Sequence, residues 1–85
     1  MISIILPTYN RGLKVLHAIR SVLSYSGDEI ELIVVDDGST DDTVEKVSQI
    51  RDPRLRFFYY KPTKGVGFAR NLGIEKASKR YISFF

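Results

Sequence analysis

The chain alternates between two hydrophobic patterns. Residues 2–6 (ISIIL) and 31–35 (ELIVV) are short, apolar and rich in β-branched side chains, which predicts strands buried on both faces. Residues 54–60 (RLRFFYY) alternate more and predict a third, more exposed strand, and residues 81–85 (YISFF) predict a fourth. Between these runs the apolar residues recur at helical spacing. Leu13, Leu16, Ile19, Val22 and Leu23 stripe a predicted helix over 11–25, with Asn10 as its cap. Ser39 or Thr40 caps a second helix, whose inner face is Val44, Val47 and Ile50. Ala69, Leu72, Gly73 and Ala77 face inward from a third, over 66–78. Pro7, Ser26-Gly27-Asp28, Asp52-Pro53 and the loop 61–65 break the pattern.

The order β-α-β-α-β-α-β predicts a three-layer α/β/α, Rossmann-like domain on a parallel sheet, with strand order 3-2-1-4. Right-handed crossovers bring every helix N-terminus to the carboxyl ends of the strands. Ligands of such sheets bind at the switch point, here between strands 1 and 4. Pro7, Thr8, Tyr9, Asp36, Asp37, Lys64 and Gly65 are therefore expected to line one crevice.

Composition narrows the chemistry. A chain of 85 residues makes one small domain with a thin core. It has no cysteine, which excludes disulfides, thiolate metal sites and a cysteine nucleophile. Pro7 ends the first apolar run too early for a signal peptide, and no run approaches the ~18 apolar residues of a membrane span. The net charge of +3 fits phosphate binding or simply solvated helix faces. Phe57, Phe58, Tyr59 and Tyr60 are consecutive, so they alternate between two faces and form no single stacking platform; no nucleic-acid partner is expected.

The helix N-termini differ. Asp41 and Asp42 satisfy the second as capping residues. The third begins at Gly65-Val66-Gly67 among Lys61, Lys64 and Arg70, with no acid before Glu75, which reads either as an anion site or as a flexible loop with solvated lysines. Its G-x-G-x-x pattern lacks the third small residue, where Arg70 stands, and follows the third strand, so a nicotinamide site is rejected. Asp36 and Asp37, delivered by a buried strand, have three readings. They anchor neighbouring backbone and turn, they hold a metal, or they read a base edge. Uracil offers one N–H between two carbonyls, which suits a carboxylate, and Tyr9 across the first strand's end is placed to stack on the ring.

Taken together, SIILPTYNR (3–11), ELIVVDDGSTDDT (31–43), KGVGFARNLGI (64–74) and RYISFF (80–85) resemble, in order and spacing, the N-terminal nucleotide-binding half of a family 2 glycosyltransferase with the GT-A fold. The resemblance implies a nucleotide-sugar donor, most often a uridine diphosphate sugar. An inverting transfer then delivers the sugar to the hydroxyl of a glycan, lipid or other acceptor. Pro7, Thr8 and Tyr9 are implied to border the base, Asp37 to bind the uracil N–H, Asp36 to support that corner, and Lys64 and Arg70 to approach the nucleotide. A divalent metal, Mg or Mn, neutralises the diphosphate in the complete enzyme. The family's Asp-x-Asp metal motif follows the strand matched by 81–85, and the catalytic base lies further on. No metal site and no catalytic residue are thus expected within 1–85, and the chain alone is expected to be inactive. The resemblance implies a cytoplasmic location, with membrane association in the complete protein.

Three alternatives stand beside this reading. One is a folded non-catalytic remnant, and another is a nucleotide-binding module. The third is a receiver-like signalling domain, suggested by LIVVDD, but its phosphoryl-accepting Asp is missing, since Asp52 follows no buried strand. The strand at 81–85 forms an edge of the expected sheet, and a homodimer paired through it is expected.

Overall fold

The computed structural model describes residues 1–25 and 27–85; Ser26, part of the predicted break after the first helix, lies outside the described residues. Four strands, β1 (Ile2–Thr8), β2 (Ile30–Asp37), β3 (Leu55–Tyr60) and β4 (Tyr81–Phe84), form one parallel sheet in the order β3-β2-β1-β4. The helices are α1 (Gly12–Tyr25), α2 (Thr43–Ser48) and α3 (Val66–Lys76). Alternation along the strands divides the core. Leu6, Leu32 and Val34 pack with Val15, Ile19 and Val22 of α1 and Val47 of α2. On the other face Ile33 and Val35 pack against Ala69 and Leu72 of α3. Each fully buried aliphatic side chain contributes about 1.5–3 kcal/mol.

The first strand runs through Pro7, which pairs in register with Val35, and Thr8 pairs with Asp36. In a parallel strand alternate N–H groups point to opposite neighbours, and Ile2 bonds toward the β2 side while the Ile5 carbonyl bonds Phe85 on the β4 side. Pro7 follows Ile5 in that alternation, so its missing N–H faces the β4 side, past the last paired residues Ile5 and Phe84. The β1–β4 ladder accordingly ends at the bond between Phe85 N and the Ile5 carbonyl.

Leu13 does not join the α1 stripe; it is 65% exposed. Two residues of helix turn through about 200°, so Leu13 stands opposite Val15, and Val15 and Ala18 fill the face instead. The helix boundaries also shift. Asn10 takes a left-handed backbone (φ 48°) and caps the neighbouring loop rather than α1. The second helix opens later, at Thr43, and neither Ser39 nor Thr40 caps it. Asp42 stands at the N-cap without a side-chain cap bond, and Asp41, one residue before it, accepts the Thr43 N–H at 2.9 Å. The third helix stops at Lys76, because the Ser78 N–H and hydroxyl turn to Glu31.

Glu31 is the unexpected element of the core. It is buried (7% exposed) at the amino end of β2. Its carboxylate accepts from Ser3 Oγ at 2.9 Å, Ser78 N at 2.9 Å, Ser78 Oγ at 2.6 Å and Arg56 Nη1 at 3.2 Å. Burial opposes the charge, but the bonds from Ser78, Ser3 and Arg56 outweigh it and hold the carboxyl at a pKa of about 2. This network ties β1, β2, β3 and the α3–β4 turn together at the end of the sheet away from the crevice. At Gly73 the close approach of α3 to β1 leaves no room for a side chain: a Cβ would lie 2.5 Å from Ile5 Cγ2.

Candidate functional site

The carboxyl ends of β1 and β2 carry the polar residues. Beyond Thr8 the chain is stapled to the loop that follows β2. Asn10 N donates to Ser39 Oγ at 2.8 Å, and Asn10 Oδ1 accepts from Thr40 N at 2.8 Å and Asp41 N at 3.3 Å. Gly12 N donates to Thr43 Oγ1 at 3.0 Å. These bonds fix the β1–α1 turn, and with it the positions of Tyr9 and Arg11.

Asp36 and Asp37 extend β2 rather than follow it, and they point to opposite faces. Asp36 is fully buried and accepts from both Ser39 N (2.8 Å) and Ser39 Oγ. Asp37 accepts four bonds. Tyr60 Oη (2.5 Å) and Lys64 N (2.8 Å) reach Oδ1, while Thr63 Oγ1 (2.6 Å) and Gly65 N (3.0 Å) reach Oδ2. Burial raises the Asp37 pKa, but these four donors, Thr63 foremost, more than reverse it and leave the carboxyl below its ordinary range. The Tyr60 hydroxyl moves the other way. Burial first, then the bond to Asp37 and the charges of Asp37 and Asp36, keep it a neutral donor well above its ordinary range.

Gly38 makes the corner possible. It adopts φ 79°, and a Cβ there would lie 2.5 Å from Thr63 N. The loop after β2 and the loop before α3 therefore touch backbone to backbone.

A crevice of about 200 Å³ opens at the switch point, lined by Pro7, Thr8, Tyr9, Arg11, Asp37, Val66 and Ala69. Four of the residues expected from the sequence, Pro7, Thr8, Tyr9 and Asp37, meet there. Asp36 lies buried behind them and lines no wall. Lys64 and Gly65 reach the corner through backbone N–H groups, which Asp37 already engages, so these two are not offered to an anion. The Lys64 ammonium sits over Phe68 (4.7 Å) and Tyr60 (5.8 Å). Arg70 lies over Phe84 (5.9 Å), away from the crevice lining. Arg11, Val66 and Ala69 were missed by sequence reasoning. Arg11 was legible only as the residue after a predicted cap.

Thr8 is 6% exposed, and its Oγ1 is the buried side-chain polar atom without a hydrogen-bond partner among the described residues. No three carboxylate, imidazole or thiolate groups converge to hold a metal ion among the described residues. The two strand-end carboxylates do not fit that role, since both are committed to donors of the chain itself.

A parallel α/β sheet with a crevice at its switch point defines a doubly wound α/β domain of the kind that binds ligands at the carboxyl ends of its strands. The sequence profile of glycosyl transferase family 2 matches residues 3–85, and the chain belongs to that family. The sheet matches the GT-A Rossmann-like fold of Staphylococcus aureus TarS. The TarS 1–349 complex with UDP-GlcNAc superposes with a TM-score of 0.89 at 30% identity, covering 98% of this chain and 25% of that one. A mannosyltransferase of Pyrobaculum calidifontis in complex with GDP-Man and Mn2+ gives 0.80 at 26% identity over 91% of this chain and 24% of that one. In sequence, the chain is 43% identical over 86 residues to an uncharacterized glycosyltransferase of Haemophilus influenzae, covering 99% of this chain and 34% of that protein. It is 37% identical over 84 residues, 99% of this chain and 34% of the relative, to the Escherichia coli UDP-Glc:alpha-D-GlcNAc-diphosphoundecaprenol beta-1,3-glucosyltransferase WfaP. The chain thus spans about a third of these two relatives. No described helix is long and apolar enough to cross a membrane.

Proposed function

We propose that the crevice binds the nucleotide of a uridine diphosphate sugar, the donor for an inverting transfer to an acceptor hydroxyl. The observation that carries this reading is the meeting of Tyr9 and Asp37 in one crevice lined also by Thr8 and Arg11. Tyr9 is exposed enough to offer a ring face to a base. The TarS complex with UDP-GlcNAc and the UDP-Glc donor in the name of WfaP support uridine. The diphosphoundecaprenol in that name supports a lipid-linked acceptor. Activation of the acceptor hydroxyl and metal support of the diphosphate belong to other parts of the complete enzyme.

The geometry adds a condition. A carboxylate has about four acceptor positions, and the chain fills four on Asp37. A uracil N–H therefore reaches Asp37 by displacing one donor. The Thr63 hydroxyl is the one that yields most cheaply, because Thr63 is exposed and its hydroxyl finds water instead. The same saturation favours a second reading, a folded module in which Asp37 is purely a loop anchor.

Titration calorimetry with uridine diphosphate separates the two. Under the donor reading, Asp37→Ala loses tenfold or more in affinity, since a hydrogen bond to a charged group contributes roughly 1.5–3 kcal/mol. Thr63→Val binds at least as tightly as wild type, because it removes a competing donor. Absence of binding in wild type, or equal affinity in Asp37→Ala, sinks the donor reading. Tighter binding of guanosine diphosphate would move the base assignment away from uracil.

A further inference from the structure

The outer face of α1 is basic and carries no acid. Arg11, just before the helix, and Leu13, Lys14, His17 and Arg20 on it are exposed, and no Asp or Glu occurs in residues 11–25. Lys14, His17 and Arg20 succeed one another three residues apart, and Leu13 lies four before His17, so these side chains share one surface. Val15, Ile19 and Val22 hold the opposite face against the sheet, which fixes Leu13 outward at 65% exposure. None of the four basic side chains has a hydrogen-bond, ion-pair or ring partner among the described residues. The chain has 13 Lys and Arg against 10 Asp and Glu, so without Arg11, Lys14 and Arg20 it would be neutral. This face therefore holds the entire positive excess. Toward α2 it borders Asp41 and Asp42 across a groove of about 360 Å³, but Asp41 is bonded to Thr43 and Asp42 is paired with Lys46.

We propose that this face of α1 docks on the surface of an anionic lipid bilayer, with the helix lying along it. The cations meet acidic headgroups while Leu13 enters the boundary between headgroups and acyl chains, as in interfacial amphipathic helices. Leu13 selects lipid over other polyanions. A nucleic-acid backbone would use the cations and leave Leu13 in water, and no Phe, Tyr or Trp occurs in residues 11–24 to stack on a base. Each Lys or Arg near such a surface strengthens binding about fivefold, so a few cations and one aliphatic side chain give weak, reversible attachment. Arg11 also lines the crevice, so docking sets the crevice mouth beside the membrane. Under the reading above, in which the acceptor is lipid-linked, that is where the acceptor lies. The docking itself does not depend on that reading.

Vesicle co-sedimentation of the 85-residue chain, without nucleotide, tests the face. Wild type is expected to bind phosphatidylcholine vesicles that contain phosphatidylglycerol, to ignore vesicles of phosphatidylcholine alone, and to be released by salt. Lys14→Gln combined with Arg20→Gln is expected to weaken binding about 25-fold, at about fivefold per cation. Arg51→Gln combined with Lys79→Gln removes the same charge from outside α1 and is expected to change binding far less. Circular dichroism checks that each variant is folded. The chain contains no Trp, so Leu13→Trp places a single indole on the face, and its emission is expected to shift to the blue on anionic vesicles. The proposal fails if wild type does not bind anionic vesicles, if neutral vesicles bind as well, or if the two double variants lose affinity equally. It fails also if the Leu13→Trp emission does not move, or if the chain binds duplex DNA and not vesicles. With no nucleotide present, such a failure leaves the donor reading untouched.

Discussion

Replacing Glu31 by Gln removes one buried charge and almost no volume. The carboxylate accepts four bonds from Ser3, Ser78 and Arg56, and these hold its pKa at about 2 against an ordinary 4.5. That gap corresponds to about 3 kcal/mol of charge-dependent stability. A Gln keeps one acceptor oxygen and turns an NH₂ toward groups that are themselves donors, so at pH 7 the expected loss is about 2–4 kcal/mol. For a domain of this size the total stability is on the order of 4–13 kcal/mol, and each kcal/mol moves Tm by about 4–8 °C. Because the folded pKa is depressed, the contribution is complete above the unfolded value near 4.5 and drains away as the pH falls toward about 2. Urea denaturation followed by circular dichroism, at intervals from pH 7 to 2, measures this. Asp37, Asp41 and Asp52 also have lowered pKa values, but wild type and variant share them, so the difference between the two isolates Glu31. That difference is expected to shrink from about 3 kcal/mol toward zero across the acid range. A difference that stays constant with pH would refute the charge argument and leave only a packing defect.

Other consequences follow from close contacts and edges. Gly73→Ala places a methyl 2.5 Å from Ile5 Cγ2 and is expected to cost about 1–3 kcal/mol in denaturant melts, with that cost smaller in an Ile5→Ala background, where Cγ2 is gone. Gly38→Ala should be worse, since it combines φ 79° with a backbone contact at 2.5 Å that no side-chain rotation relieves; loss of uridine diphosphate binding should accompany it in calorimetry. As the pH falls below the ordinary Asp value of 3.8, wild type should lose the part of its stability that the Asp37 donors supply, and Asp37→Asn should lose less, read from thermal melts. At high concentration the 85-residue chain should self-associate through β4, whose Tyr81, Ile82 and Phe84 are exposed along a sheet edge; light scattering of wild type beside Phe84→Lys checks it, and an unchanged monomer defeats it.

What the sequence determined by itself was the architecture. Two apolar runs of β-branched residues, alternating with helical stripes, fix a parallel sheet because local periodicity and the handedness of crossovers leave few ways to bury those faces. The same logic brought Pro7, Thr8, Tyr9 and Asp37 to one end of the sheet. Tertiary structure alone decided which polar groups are free and which are spent. Asp37 and Asp36 look alike in sequence, yet one turns to the loop before α3 and the other to Ser39. Lys64 and Arg11 are both basic residues near the crevice, yet Lys64 is held by Phe68 and Tyr60 while Arg11 has no partner among the described residues. Glu31 reads as the polar start of a strand, and only the meeting of Ser3, Arg56 and Ser78 makes it a buried anchor. Periodicity is a local property that a chain carries along its length. Hydrogen-bond partnership between residues 28, 29 or 47 positions apart is created only when the sheet closes.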